Sequence, residues 1–328
     1  MSPSVRTSLT LLLPGRDRLA GQRVPPDLGR WLARGDRSEF KGSALEQLFD
    51  VLPRGWPVAA VTRERDAGDA AGACWLRADP AHVRAEINGA RLLAHGRALG
   101  LTREQADALL VPLRPLFGDA GYALDAPHPH RWYVRLPSGS KLPRFTSPDE
   151  ALGADFFDHL PADATPASAE GRRWRALLSE CQVVLHNHPM NAQRAAQGLP
   201  SVNSVWFWGT GAKPDRVASA VDALATDDEV AHAFAAAASV RCEALPERWT
   251  AVPEPAKSAF DLRHVRGIEA LHERWLAPIG QALEARRVDG VRLLFDDGVE
   301  YRLSAAQRWR IWRGPVVELA AADTPRDE

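Results

Sequence analysis

The chain has 328 residues, of which 45% are hydrophobic and 25% are charged, the proportions of an ordinary globular protein. It carries 41 Lys and Arg against 42 Asp and Glu, a formal net charge of -1, which provides no field to attract a polyanion. No apolar run approaches the roughly 20 residues that span a bilayer, and Leu9 to Leu13 is too short for a signal segment. We therefore predict a cytoplasmic protein that has neither nucleic acid nor a membrane as its partner.

The first part of the chain predicts alternating strands and helices. Thr7 to Gly15 is a short apolar run closed by Pro-Gly, typical of a buried strand that ends in a turn. Pro25 to Asp27 indicate the start of a helix. The charged segment Arg63 to Gly72 has no hydrophobic period and predicts an exposed loop. Thr102 to Gln105 form a capping box, which predicts a helix after Thr102.

The second part predicts further elements of an α/β sheet. A helix is expected from Glu170, and a second helix is expected between Pro189 and the stop at Gly198. The remaining expectations are a strand over 202–208, a tight turn over 209–211, a helix from Pro214 to Leu224, a helix from Leu262 to Arg286 and a hairpin at Asp297-Gly298.

These elements predict an α/β fold with two parts. Residues 1–72 and 183–328 are expected to share one mixed or parallel sheet flanked by helices, which puts the strands at Leu9 and Val205 in the same sheet. Residues 73–182 are expected to form a smaller α+β module inserted into it. The three cysteines, Cys74, Cys181 and Cys242, are odd in number and widely spaced, which predicts reduced thiols.

A polar cluster is the strongest local signal for a site. The chain has four asparagines, and Asn187, Asn191 and Asn203 fall close together beside His188 and Arg194. Asparagine and histidine both donate and accept hydrogen bonds, so the cluster suits a polar ligand. It equally suits a capping network in which Asn187 is the N-cap of the helix at Pro189.

A set of three residues that follows this cluster in the sequence suggests an anion site. Gly209 and Gly211 precede Lys213 and the predicted helix, whose free N–H groups would favour a phosphate. A plain tight turn explains the same residues, because the third glycine of a dinucleotide loop and the Gly-Lys-Ser/Thr of a P-loop are both missing.

A longer passage resembles a known family. It comprises Leu185 to Asn191, Arg194, Gly198 to Pro200, Asn203 and Trp206 to Gly211. This passage resembles the HPxN…R…GxPxxN…WxWGxG motif of archaeal-type cofactor-independent phosphoglycerate mutases. The pattern and the short chain are most similar to RpfE-type bacterial regulatory proteins, which are related to those mutases. The resemblance implies an alkaline-phosphatase-like core.

The resemblance also implies that the catalytic apparatus is lost. Active mutases use two metal ions and a phosphorylatable serine. Asp17, Asp296 and Asp297 are the candidate metal ligands, but the expected histidines are missing, and 54–72 contains no serine. The leading hypothesis is a regulatory or binding protein without a cofactor, with a small phosphorylated acid or a protein as its partner.

Two alternatives stay open. The first is an active phosphoglycerate mutase or phosphoesterase that holds Mn or Zn on relocated ligands. The second is a protein-interaction scaffold in which Trp132 and Tyr133 anchor the partner.

Overall fold

The computed structural model describes residues 7–87, 89–137, 139–162, 169–250 and 257–319. The strands in these ranges are β1 (Ser8–Leu13), β2 (Asp36–Glu39), β3 (Phe49–Leu52), β4 (Cys74–Glu86), β5 (Gly89–His95), β6 (Ala123–His128), β7 (Arg131–Leu136), β8 (Ser204–Ala212), β9 (Arg216–Ser219), β10 (Ala223–Ala225), β11 (Arg241–Glu243), β12 (Lys257–Asp261), β13 (Gly290–Phe295) and β14 (Val299–Leu303). The helices are α1 (Pro26–Arg34), α2 (Val58–Ala67), α3 (Arg103–Asp119), α4 (Pro148–Ala151), α5 (Glu170–His186), α6 (Pro189–Ala196), α7 (Glu229–Ala237), α8 (Ile268–Leu271) and α9 (Ala277–Glu284).

The chain divides into two compact units. The discontinuous unit comprises Met1–Leu52 and Arg216–Glu328, and the inserted unit comprises Pro53–Asp215. The inserted unit is therefore longer at both ends than the predicted module of residues 73–182. The predicted boundaries were wrong because α2 packs on β4 and β8, and β8 pairs with β4. The strand at Val205 consequently does not share a sheet with the strand at Leu9.

The discontinuous unit is built on a sheet with the strand order β11-β10-β12-β1-β13-β14-β2. The strands from β11 to β13 are parallel, whereas β14 and β2 are antiparallel. The expected mixed sheet is thus confirmed. Strand β1 lies at its centre, and Leu9, Leu11, Leu12 and Leu13 are fully buried, as a strand covered on both faces requires.

Helices and a hairpin complete this unit largely as expected. Helix α1 begins at Pro26, and the chain turns between β13 and β14 through Gly298 at a φ of 86°. The predicted helix over 262–286 is shorter: α8 and α9 are joined by a π-helical turn over His272–Leu276. Helices α1 and α9 approach closely because Gly280 presents no Cβ to the ring of Trp31. Strand β12 was not predicted.

The inserted unit is an α+β structure around a second sheet, with the order β5-β4-β7-β6 and with β8 paired to β4. Its helix α3 follows the predicted capping box, in which the Thr102 hydroxyl accepts from the Gln105 amide and Gln105 accepts from the Thr102 amide. Helices α5 and α6 are also confirmed. In the described residues, no helix combines the length and the apolar character that crossing a bilayer requires.

Two local predictions were wrong. The predicted loop over 63–72 is partly helical, because α2 runs to Ala67 and ends at Gly68 with a left-handed φ of 71°. The predicted helix from Pro214 is replaced by β9 and β10. Strand β9 finds its hydrogen-bond partner in β3, where Val217 lies opposite Val51. Pairing between strands that are distant in sequence cannot be inferred from the local pattern.

Candidate functional site

The parallel strands of the discontinuous unit end at one edge of its sheet, and charged and polar residues follow them there. Open α/β sheets bind their ligands at this carboxyl edge. The residues are Arg16 after β1, Thr226 and Asp228 after β10, Asp261 and Arg263 at the end of β12, and Asp296 and Asp297 after β13. We call this group the carboxyl-edge cluster.

Asp261 and Arg263 form a buried pair at the centre of the cluster. Arg263 donates from Nε to Asp261 Oδ1 and from Nη2 to Oδ2, both at 2.8 Å. The Thr226 hydroxyl donates to Oδ2 at 2.8 Å, and the backbone N–H of Arg263 donates to Oδ1 at 3.3 Å. Both oxygens of Asp261 are therefore engaged by protein donors. This bidentate geometry is the strong form of an arginine–carboxylate contact.

The two charges stabilise each other against the cost of burial. Burial by itself raises the pKa of Asp261, but the charge and hydrogen bonds of Arg263, with the Thr226 hydroxyl, hold it below its ordinary value. Burial likewise lowers the pKa of Arg263, and the charge and hydrogen bonds of Asp261, with the charges of Asp228 and Asp296, raise it above its usual range. At neutral pH, Asp261 is therefore negatively charged and Arg263 is positively charged.

The candidate metal ligands at this edge have protein partners as well. Asp297 accepts from Arg16 Nε at 2.6 Å, and Asp296 accepts from the backbone N–H of Ala44 at 2.9 Å. Asp17 is exposed in the turn after β1, and its carboxylate and the Cβ of Asp297 lie around Gly15. The structure therefore brings Asp17, Asp296 and Asp297 to one corner of the carboxyl edge of the sheet.

This donor set does not fit two divalent metal ions. In the described ranges, no three His, Cys, Asp or Glu side chains are arranged to hold one. A divalent ion placed about 4 Å from the Arg263 guanidinium would meet a repulsion of roughly 8 kcal/mol at an effective dielectric constant of about 20. The guanidinium already supplies the positive charge that Asp261 requires.

Asn191 and Asn203, predicted as ligand candidates in the inserted unit, hydrogen-bond to the backbone. Asn191 Nδ2 donates to the carbonyls of Leu185 and Val202, and its Oδ1 accepts from the Val202 amide. Asn203 bonds both backbone groups of Val83, at 2.8 and 2.7 Å. The two asparagines therefore join the end of α5, the start of β8 and strand β4.

The neighbouring candidates also have internal partners. Arg194 is fully buried, donates to Pro200 O, Gln105 Oε1 and Leu99 O, and has its pKa lowered by burial. His188, rather than Asn187, is the N-cap of α6, because its Nδ1 accepts from the Met190 amide. Asn187 ends α5 and donates to Val183 O. Binding of a ligand by these side chains stays a prediction.

The predicted anion site has a different geometry. Gly209 and Gly211 lie within β8, so neither the expected tight turn nor a following helix exists. A Cβ on Gly209 would lie 2.9 Å from Val58 Cβ, and one on Gly211 would lie 2.8 Å from Pro57 Cα. The glycines therefore let the start of α2 approach β8. Lys213 pairs with Glu64 at 2.6 Å.

The proposed partner anchors of the interaction scaffold are inaccessible. Trp132 and Tyr133 are both fully buried in the inserted unit. Among the described residues of the discontinuous unit, the aromatic and aliphatic side chains with the largest exposure are Trp309, Ile311 and Trp312.

Sequence reasoning missed the Asp261–Arg263 pair. The usable signal was the strand-like run of β12 ending in Asp-Leu-Arg, which puts two opposite charges two residues apart beyond a buried strand.

Comparisons with known proteins give a partial match. No family model matches the chain. A segment of 69 residues is 32% identical to the 2,3-bisphosphoglycerate-independent phosphoglycerate mutase of Methanosarcina barkeri, and one of 71 residues is 37% identical to that of Methanothrix thermoacetophila. Each segment spans 21% of this chain and 16% of the relative.

Two solved structures are similar at low identity. The cofactor-independent phosphoglycerate mutase from Thermoplasma acidophilum has a TM-score of 0.38 and 16% identity, over 91% of this chain and 90% of that one. The PH0037 protein from Pyrococcus horikoshii has a TM-score of 0.39 and 12% identity, over 91% of this chain and 87% of that one. Sequence similarity to cofactor-independent phosphoglycerate mutases is thus established for one segment of the chain.

Proposed function

We propose that this chain is a regulatory or binding protein on a scaffold like that of the cofactor-independent phosphoglycerate mutases, in the manner of RpfE-type bacterial proteins. In this proposal it has an alkaline-phosphatase-like ancestry and no longer performs two-metal phosphoryl transfer. The observation that carries the proposal is the Asp261–Arg263 pair, in which a guanidinium engages both oxygens of a buried carboxylate at the carboxyl edge. Partial sequence similarity to the mutases supports the choice of scaffold.

The physical reason is that arginine replaces a metal ion as the counter-charge but not as a catalyst. A divalent ion polarises phosphoryl oxygens and activates a nucleophile, and both effects need open coordination positions. The Arg263 guanidinium donates from Nε and Nη2 to Asp261, and unlike a divalent ion it has no coordination position at which a nucleophile could be activated. Loss of one member of a cooperating catalytic unit already costs orders of magnitude in rate.

A phosphoglycerate mutase assay on purified protein tests the proposal. We expect no turnover in the presence of EDTA, Mn²⁺ or Zn²⁺, and no stoichiometric metal by elemental analysis. Turnover that EDTA abolishes and Mn²⁺ restores would refute the proposal and would favour the alternative of an active mutase or phosphoesterase with relocated ligands.

A variant pair tests whether Arg263 is the counter-charge. Arg263→Ala removes the positive charge that interacts with Asp261, Asp228 and Asp296, so Mn²⁺ is expected to raise the melting temperature of this variant. Arg302→Ala is the matched control, because Glu300 keeps Arg292 at 2.8 Å. If Mn²⁺ changes the melting temperature of the wild type and of both variants equally, the assignment of Arg263 as the counter-charge is contradicted.

The partner of the regulatory function is proposed to be a small phosphorylated acid. Lys213 is a candidate that carries a positive charge and is accessible, since the Lys213–Glu64 pair is partly exposed. Titration of 3-phosphoglycerate into the wild type and into Lys213→Ala, followed by calorimetry, tests this. Saturable binding that Lys213→Ala weakens supports the proposal, and equal binding to the two proteins excludes the predicted site.

A further inference from the structure

A cysteine and a histidine of the discontinuous unit form a hydrogen-bonded pair outside the functions discussed above. Cys242 Sγ lies 3.1 Å from His232 Nδ1, and His232 Nε2 lies 3.1 Å from the carbonyl oxygen of Thr226. Cys242 is not part of a disulfide. A nucleophile within reach of a base that a third group orients is the arrangement of an activated nucleophile.

The hydrogen bonds determine the histidine tautomer. A carbonyl oxygen only accepts hydrogen bonds, so His232 Nε2 must carry the proton that is donated to Thr226 O. Nδ1 then has a free lone pair, and the Cys242 thiol donates to it. His232 is therefore set to take the thiol proton and leave a thiolate, which is the reactive form of cysteine.

The fold holds this geometry from several sides. Asp228 caps helix α7 by accepting from the Ala231 amide at 2.7 Å, and α7 carries His232. The Thr226 amide donates to the carbonyl of Glu243, which adjoins Cys242 in β11. Histidine and cysteine are thus fixed to the same short segment after β10.

The pair is also accessible. Strand β11 is the edge strand of its sheet, and both Cys242 and His232 are partly exposed. The two other cysteines lie in less reactive surroundings, because burial raises the pKa of Cys74 and raises that of Cys181 to about 12.

We propose that Cys242 is a modification site, a nucleophilic thiol activated by His232 that reacts with small hydroperoxides. His232 Nδ1 takes the thiol proton, and the sulfur attacks one peroxide oxygen. An S–O bond forms while the O–O bond breaks. The leaving hydroxide or alkoxide takes the proton from the imidazolium. Sulfur is oxidised by two electrons to a sulfenic acid, and the peroxide is reduced to water or alcohol.

No second cysteine of the same unit is present to trap the product. Cys74 and Cys181 belong to the inserted unit, and the chain has three cysteines in all. A small thiol reduces the sulfenic acid, and a sulfenic-acid reagent such as dimedone captures it.

Alkylation rates of the wild-type protein give the first test. Iodoacetamide at pH 7, with each cysteine peptide quantified by mass spectrometry, is expected to modify Cys242 about tenfold faster than Cys74. Cys74 is the matched reference because it is also partly exposed, but burial raises its pKa. Equal or slower alkylation of Cys242 would overturn the proposal, without any need for a variant.

Two further measurements test the role of the histidine and the chemistry. His232→Gln is expected to slow alkylation of Cys242 about tenfold and to leave the rate of Cys74 unchanged. Hydrogen peroxide followed by dimedone is expected to label Cys242 and not Cys242→Ser protein. An unchanged rate at Cys242 in His232→Gln, or dimedone labelling confined to the other cysteines, would refute the assignment.

Discussion

Replacing Arg263 by methionine tests the energetics of the carboxyl-edge cluster most directly. The substitution keeps an unbranched side chain of similar length but removes the charge, and it leaves Asp261 buried with the Thr226 hydroxyl and one backbone N–H as donors. Removing one partner of a buried ion pair typically costs about 3–5 kcal/mol, because an uncompensated charge stays in the interior. This loss is a large part of the roughly 5–15 kcal/mol by which folded proteins are stable.

The pH dependence of stability has a definite sign. In the wild type the pKa of Asp261 is below its ordinary value of 3.8, so its contribution is present above pH 3.8 and is lost as the pH falls through the folded-state pKa. In Arg263→Met, burial is the dominant influence and raises that pKa. The variant therefore recovers stability as the carboxyl becomes protonated, and the difference between the two proteins narrows towards acidic pH.

Urea unfolding followed by circular dichroism measures this difference, and hydrogen exchange of the β12 amides localises it. The double variant Asp261→Asn with Arg263→Met contains no buried charge at this position and is expected to regain about half of the loss or more. Arg302→Met is the control and should cost about 1 kcal/mol or less, since Glu300 retains Arg292. A loss below about 1 kcal/mol in Arg263→Met, or no recovery in the double variant, would refute the reasoning.

The inserted unit supports two further predictions. Asn191→Ala removes three hydrogen bonds to the backbone and should cost about 1–3 kcal/mol, visible as a lower melting temperature. Asn187→Ala, which removes a single exposed bond, is its control, and equal melting temperatures for the two variants would contradict the structural role. Gly211→Ala places a Cβ 2.8 Å from Pro57 Cα and should cost about 1–3 kcal/mol in urea unfolding. Gly118→Ala, where a Cβ meets nothing within 4 Å, should leave stability equal or higher, and a neutral Gly211→Ala would be inconsistent with the close approach of α2.

The sequence by itself determined the features that depend on a few neighbouring residues. The capping box at Thr102 needs only the side chain of Gln105 three positions later, and it starts α3 as predicted. The hairpin at Asp297-Gly298 needs a glycine that tolerates positive φ, and the apolar run of β1 needs burial alone. These local preferences also indicated the α/β class and the mixed sheet.

The tertiary structure decided the features whose partners are distant in sequence. The local pattern of Gly209 and Gly211 predicts a turn, but these glycines allow β8 to pack against the start of α2. Pro57, at that start, lies about 150 residues earlier in the sequence. The Asn191 network and the buried Arg194 likewise depend on strands and loops that the local pattern does not identify. Asp261 and Arg263 are two residues apart, yet their site exists only because β1, β10, β12 and β13 end at the same edge. Hydrogen bonding between remote strands creates that edge, so the Asp-Leu-Arg run signals two nearby charges, whereas their burial and bidentate contact follow only from the folded chain.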